Sequence, residues 1–184
     1  MKSVLLNSIM FLVLAILLSA CTSNKESTSE GVEDFDSPVY SGGNLKIGIV
    51  GAPPKVREDN VKFISLSLGD VEEKNFRDVD AVFINKNYLP EAAEAKYAKV
   101  YLESLVPFIF INSEKVYLAF IDEELSYEDA HTSKAGDYLI GYFNHKYFGL
   151  SLYNHQNTKK TIQDCYSRVF SIIENAKNTG EINL

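Results

Sequence analysis

Residues 81–112 read AVFINKNYLPEAAEAKYAKVYLESLVPFIFIN, and their pattern decides the fold. The run 81–85 (AVFIN) is apolar and too short for a helix, which predicts a strand. From Leu89 the period changes. Leu89, Ala93, Tyr97, Val100, Tyr101 and Leu105 recur at helical spacing, and Pro90 falls in the first turn, where a missing N–H costs little. Glu91 and Glu94 stand near the positive end of the helix dipole. The pattern predicts one helix over 89–105, stopped by Pro107. Residues 107–112 (PFIFIN) then read as a strand with Pro at its start, an allowed position. Strand, helix, strand is the unit from which parallel sheets are built.

Working outward, residues 45–50 (LKIGIV) form a strand that ends at Gly51-Ala52-Pro53-Pro54. Residues 61–68 (VKFISLSL) alternate as a second strand and stop at Gly69-Asp70, with a short helical turn expected between 71 and 79. After residue 112 the pattern turns strand-rich. Residues 115–121 (KVYLAFI) are expected to pair with 107–112 as an antiparallel hairpin. Residues 122–137 are polar and acidic, a loop. Residues 138–143 (YLIGYF) and 147–153 (YFGLSLY) flank Asn144-His145-Lys146, which predicts a second hairpin with a three-residue turn. Ile162, Cys165, Val169, Ile172, Ile173 and Ala176 make one helical stripe over 158–177, with Asn157 able to cap it and Gly180 to end it. The fold class expected is α/β, bordering on α+β: a mixed β-sheet flanked by helices, in one domain over 45–184.

The amino terminus carries a separate signal. Lys2 precedes an apolar run over residues 4–18 (VLLNSIMFLVLAILL), and Ser19-Ala20 precede Cys21. A basic start, a short apolar run and small residues make a secretory signal peptide, and the run is shorter than a spanning helix needs. Leu18-Ser19-Ala20-Cys21 resembles the lipobox of bacterial lipoproteins. The resemblance implies cleavage after residue 20 and a diacylglyceryl group on the Cys21 sulfur, with the protein held by its lipid at the extracytoplasmic face of the cell membrane. Stable anchoring needs about two acyl chains, which this group supplies. Residues 22–43 (TSNKESTSEGVEDFDSPVYSGG) hold few large apolar groups and read as a flexible tether, so 21–44 is expected to join the lipid to the domain. The front of the domain is also similar to half of a bacterial solute-binding protein, which implies a fold and not a function.

The whole chain has 18 Lys and Arg against 25 Asp and Glu, a net charge of −7 that argues against nucleic acid as a partner. Loss of residues 1–20 removes only Lys2 and makes the balance more acidic, so anionic lipid heads would repel the domain and the anchor would have to hold it. Two Cys cannot build a disulfide scaffold, and a lipidated Cys21 leaves Cys165 without a partner.

Catalytic motifs are absent from the sequence. No Ser lies in Gly-x-Ser-x-Gly, and Ser65 and Ser67 read as strand-face residues. Cys165 sits in an apolar stripe, which raises a thiol's pKa and blunts it as a nucleophile. There is no His-Glu-x-x-His and no Cys-x-x-Cys. His145 at a hairpin tip and His155 beyond its far end would stand about 30 Å apart. His131 and His155 flank the hairpin base, with Asp129 or Asp137 near, and are the best constellation for an alternative function, an envelope hydrolase. Asp122, Glu123, Glu124, Glu128 and Asp129 do not have EF-hand spacing and read as a solvated loop. After the first strand, Pro53 and Pro54 remove two N–H donors from the loop that would cradle a phosphate. The chain has 11 Tyr and 11 Phe but no Trp, and Tyr142 and Tyr147 crowd one hairpin. They read as core edge or as a surface facing a ligand or partner. The expected role is therefore a membrane-anchored, non-catalytic domain that binds a small ligand or an envelope protein. Tyr142, Tyr147, His131 and His155 are its candidate contacts, and no metal or cofactor is implied.

Overall fold

The structure, a computed structural model, describes residues 35–183. The expected signal peptide, Cys21 and the greater part of the expected tether lie outside the described residues. From Asp36 onward the chain forms one unit. Its strands are β1 (Leu45–Val50), β2 (Val61–Leu66), β3 (Ala81–Ile84), β4 (Phe108–Ile111), β5 (Asp137–Phe143) and β6 (Lys146–Ser151). Its helices are α1 (Leu68–Glu72), α2 (Leu89–Ala92), α3 (Ala95–Leu102), α4 (Leu118–Ile121) and α5 (Lys159–Thr179). The strand order in the six-stranded sheet is β2-β1-β3-β4-β5-β6. β1 to β4 are parallel, while β5 runs against β4 and β6 against β5. The α/β class with a mixed sheet is as the sequence pattern predicts.

Burial explains the two kinds of strand. β3 and β4 are buried at every position, as continuous apolar runs in the middle of a parallel sheet should be. β2 is an edge strand and alternates toward solvent. One face of the sheet packs Ile47, Ile49, Phe83 and Ile109 against Val169, Phe170 and Ile173 of α5. The other packs Val82, Ile84, Phe108 and Phe110 against Leu89, Tyr97, Tyr101 and Phe120 from α2, α3 and α4. The connection from β1 to β2 carries no helix among its residues 51–60. The face that a crossover helix would cover is instead closed by α5, from the end of the chain.

Three expectations are corrected. Residues 115–121 do not pair with β4 as a hairpin. Lys115 makes one isolated bridge to Thr132, then the chain turns into α4, and β5 takes the place beside β4. Phe120 stacks on Phe110 with ring centroids 3.7 Å apart, so this segment covers the sheet rather than extending it. The helix expected over 89–105 is broken between α2 and α3, where Glu94 is extended (φ −66°, ψ 143°). A break frees the Ala92 carbonyl, and the buried Tyr101 hydroxyl donates to it at 2.7 Å. The last residues of the expected tether also belong to the domain. Tyr40 is 6% exposed, packs on Phe170 with ring centroids 6.0 Å apart, and donates its hydroxyl to the Gly43 carbonyl. Ser37 and Pro38 are held by the Arg57 guanidinium, and the Gly43 amide donates to Glu174.

The hairpin of β5 and β6 and the last helix form as expected, with small shifts. Asn144 and His145 alone make the turn, both at positive φ (47° and 61°), the backbone of a two-residue hairpin turn that matches strand twist. Thr158, not Asn157, caps α5, through a reciprocal pair with Thr161. Gly180 ends it in the left-handed conformation (φ 74°).

Candidate functional site

Strand order reverses its direction of growth at β1: β2 lies on one side of it and β3 on the other. In open α/β sheets the loops then leave in opposite directions and open a crevice at the carboxyl ends of the strands. Such a crevice is present here. It has a volume of about 510 Å³ and is lined by Val50, Gly51 and Ala52 at the end of β1 and just beyond, Ser65, Leu66 and Ser67 at the end of β2, and Tyr88 and Glu91 after β3. The start of α1, Leu68 and Gly69, completes it.

The floor is held by backbone and amide contacts. The Asn85 amide N–H donates to the Val50 carbonyl at 3.1 Å, and its side-chain Nδ2 donates to the Ala52 carbonyl at 3.1 Å. These bonds tie the loop after β3 to the loop after β1. Gly51 turns at φ 102°, and a Cβ there would lie 2.9 Å from the Tyr88 ring and 3.0 Å from Asn85 Cβ. Only glycine fits, and its absent side chain is what lets the Tyr88 ring settle over the loop. Tyr88 remains 41% exposed at the crevice wall. Glu91, one turn further on, is exposed as well.

Ser67 does not stand free as a nucleophile. Its Oγ donates to Asp70 Oδ2 at 2.6 Å and accepts from the Asp70 amide at 3.1 Å, closing the cap of α1. The Ser67 hydroxyl and the Ser67 amide both donate to Asp70 Oδ2 and hold that carboxyl below the ordinary aspartate value. Among the described lining residues Glu91 is the one charged group, and none is Lys, Arg, His or Cys.

The residues singled out from the sequence lie elsewhere. Tyr142 and Tyr147 are cross-strand partners in the β5–β6 hairpin, at the opposite edge of the sheet from β2. Tyr117 joins them: its ring is 3.9 Å from that of Tyr147 at 10° and 6.4 Å from that of Tyr142 at 12°. Tyr142 is 3% exposed and serves the core, whereas Tyr147 is 60% exposed. His131 and His155 are both exposed. The His131 carbonyl accepts from the Val116 amide, and the His155 ring lies beside Gly136. The segment from His131 to Gly136 thus meets one histidine at each end. Among the described residues no group of three or more His, Cys, Asp or Glu is placed to hold a metal ion. Asp122 and Asp129 are exposed and spend oxygens on local turns, accepting from the Glu124 amide and the Ser126 hydroxyl. Cys165 is fully buried, and burial pushes its thiol up to about 12.

In the sequence Gly51 reads as a turn and Glu91 as a helix-dipole partner; the tertiary fold makes them converge with Ser65 and Tyr88. A glycine straight after the first strand was the available signal. Strand order, which makes that position a crevice, is not written in any local pattern.

Compared with models of known protein families, with curated proteins and with solved structures, the chain shows no match. Among the described residues no helix is long and apolar enough to cross a membrane.

Proposed function

We propose that the protein is a lipid-anchored, extracytoplasmic binding protein whose domain takes a small ligand, without catalysis, in the crevice at the carboxyl ends of β1, β2 and β3. The observation that carries the binding role is that crevice. It lies where strand order reverses, its volume of about 510 Å³ is that of a small-molecule site, and Gly51 and Asn85 brace its floor. The anchor is supported by the Leu18-Ser19-Ala20-Cys21 motif after a short apolar run. Between Cys21 and Ser37, the first residue held by Arg57, the chain reaches at most about 55 Å when fully extended. The crevice then works near the membrane surface.

Two measurements test this. Metabolic labelling with radioactive palmitate should mark the wild-type protein in a bacterial host and leave Cys21→Ser unlabelled. Label retained in that variant refutes the anchor. Native mass spectrometry of the full-length chain, isolated in mild detergent, should show a discrete adduct that Ser65→Trp abolishes, because an indole would fill the crevice. An adduct untouched by that substitution places the ligand elsewhere.

A further inference from the structure

We propose that the crevice selects a small ligand carrying an ammonium group. The inference rests on the binding role just assigned and names the chemistry that role would serve. Three features converge. Glu91 is the one charged group among the described lining residues, and it is exposed, so its carboxylate is available to a ligand. The Tyr88 ring is 41% exposed, lines the same crevice three residues before Glu91, and rests close over Gly51. An aromatic face next to a carboxylate attracts a cation twice, through the ring quadrupole and through charge. The Ser65 hydroxyl at the end of β2 adds an exposed oxygen acceptor on the opposite wall.

The side-chain charges nearest the crevice disfavour anions. Asp70, the carboxylate partner of Ser67, follows Gly69 of the lining, and its hydrogen bonds to Ser67 favour the ionised form. Pro53 and Pro54 continue the β1 loop without N–H groups to offer a phosphate or carboxylate. The net charge of −7 on the chain adds a field of the same sign. A neutral sugar could stack on Tyr88 and donate hydroxyls to Glu91, but it would lack the charge attraction that an ammonium group adds.

The test is titration calorimetry of the full-length chain in non-ionic detergent, with choline chloride as probe and sodium acetate and glucose as comparisons. Choline should bind saturably at one site per chain, and acetate should not bind. Glu91→Gln should weaken choline about two- to fivefold, as the loss of an exposed charge pair does, choline's ammonium having no N–H to donate. Tyr88→Leu should weaken it about two- to fivefold, the usual contribution of an exposed cation–π contact. Both side chains are exposed, so unchanged circular-dichroism melting verifies that the variants fold. Choline that fails to bind, or binds both variants as tightly as wild type, overturns the proposal. Glucose binding that Tyr88→Leu removes, with no choline binding, overturns the ammonium class but leaves the crevice a ligand site. No binding of any probe, together with no adduct on the isolated chain, overturns the binding role as well.

Discussion

Glu58 and Ser167 are 109 residues apart in sequence, and the Ser167 hydroxyl donates to the Glu58 carboxylate in the interior. The same carboxylate accepts from the amides of Tyr40 and Arg57, and the Arg57 guanidinium donates to Ser167 and to Ser37. One buried side chain therefore joins the amino-terminal segment, the β1–β2 loop and α5. Glu58→Ala would take the acceptor from the Tyr40 and Arg57 amides, at about 1–3 kcal/mol. Urea unfolding should show that loss, and protease cleavage within residues 37–43 should quicken. An unchanged urea midpoint would mean that the junction contributes nothing to stability.

A close approach inside the β5–β6 hairpin gives a second test. Gly141 faces Phe148 across the ladder, and a Cβ at Gly141 would lie 2.1 Å from two atoms of that ring. Phe148 is 2% exposed and has no room to retreat. Gly141→Ala should therefore cost about 1–3 kcal/mol through overpacking. Phe148→Leu in the same chain should recover part of the loss, with a coupling of about 0.5–3 kcal/mol in a double-mutant cycle. Additive losses would show that the two positions do not collide.

The two hairpin tyrosines should separate by burial. Tyr142 is 3% exposed, so Tyr142→Ala should cost about 3–5 kcal/mol, as deletion of a buried aromatic does. Tyr147 keeps one ring face on Tyr117 and is 60% exposed, so Tyr147→Ala should cost about 0.5–1.5 kcal/mol. Thermal denaturation of both variants compares them directly. Equal losses would contradict the burial difference.

Cys165 should be chemically silent in the folded protein. Its Sγ faces the Leu150 carbonyl at 3.7 Å inside the core, and burial raises its thiol to about 12, so almost no thiolate is present at pH 8. A chromogenic disulfide reagent should leave the native full-length chain unreacted. In guanidinium it should count one thiol per chain when Cys21 carries a thioether-linked lipid, and two when it does not. Rapid native labelling of Cys165 would show that α5 opens readily.

Much of the fold was legible because its signals are local. The β strands 81–84 and 108–111 declare themselves by unbroken apolar runs, and α5 by a helical stripe ending at Gly180. The hairpin around Asn144 follows from a turn residue between two apolar runs. Residues 115–121 defeat periodicity because, after Lys115, VYLAFI is apolar on both faces of a strand and on every face of a helix. Phe110, which offers a flat ring to Phe120, makes the choice. The break at Glu94 was hidden for a similar reason: helical spacing continues through it, and only the Tyr101 hydroxyl, nine residues on, reveals the freed Ala92 carbonyl. Tyr40 looked like a lone aromatic in a polar stretch until Phe170 came beside it.

The sequence by itself determined the class of the fold, the order of most of its elements and the acidic balance of its charges, because periodicity and composition are read from the chain alone. Tertiary structure alone decided which strands lie side by side, and with that the crevice. Gly51, Ser65, Tyr88 and Glu91 are up to 40 positions apart and meet only because β2 and β3 take opposite sides of β1. Pairing between distant strands is chosen by the burial of whole faces against helices, not by any residue's own neighbourhood.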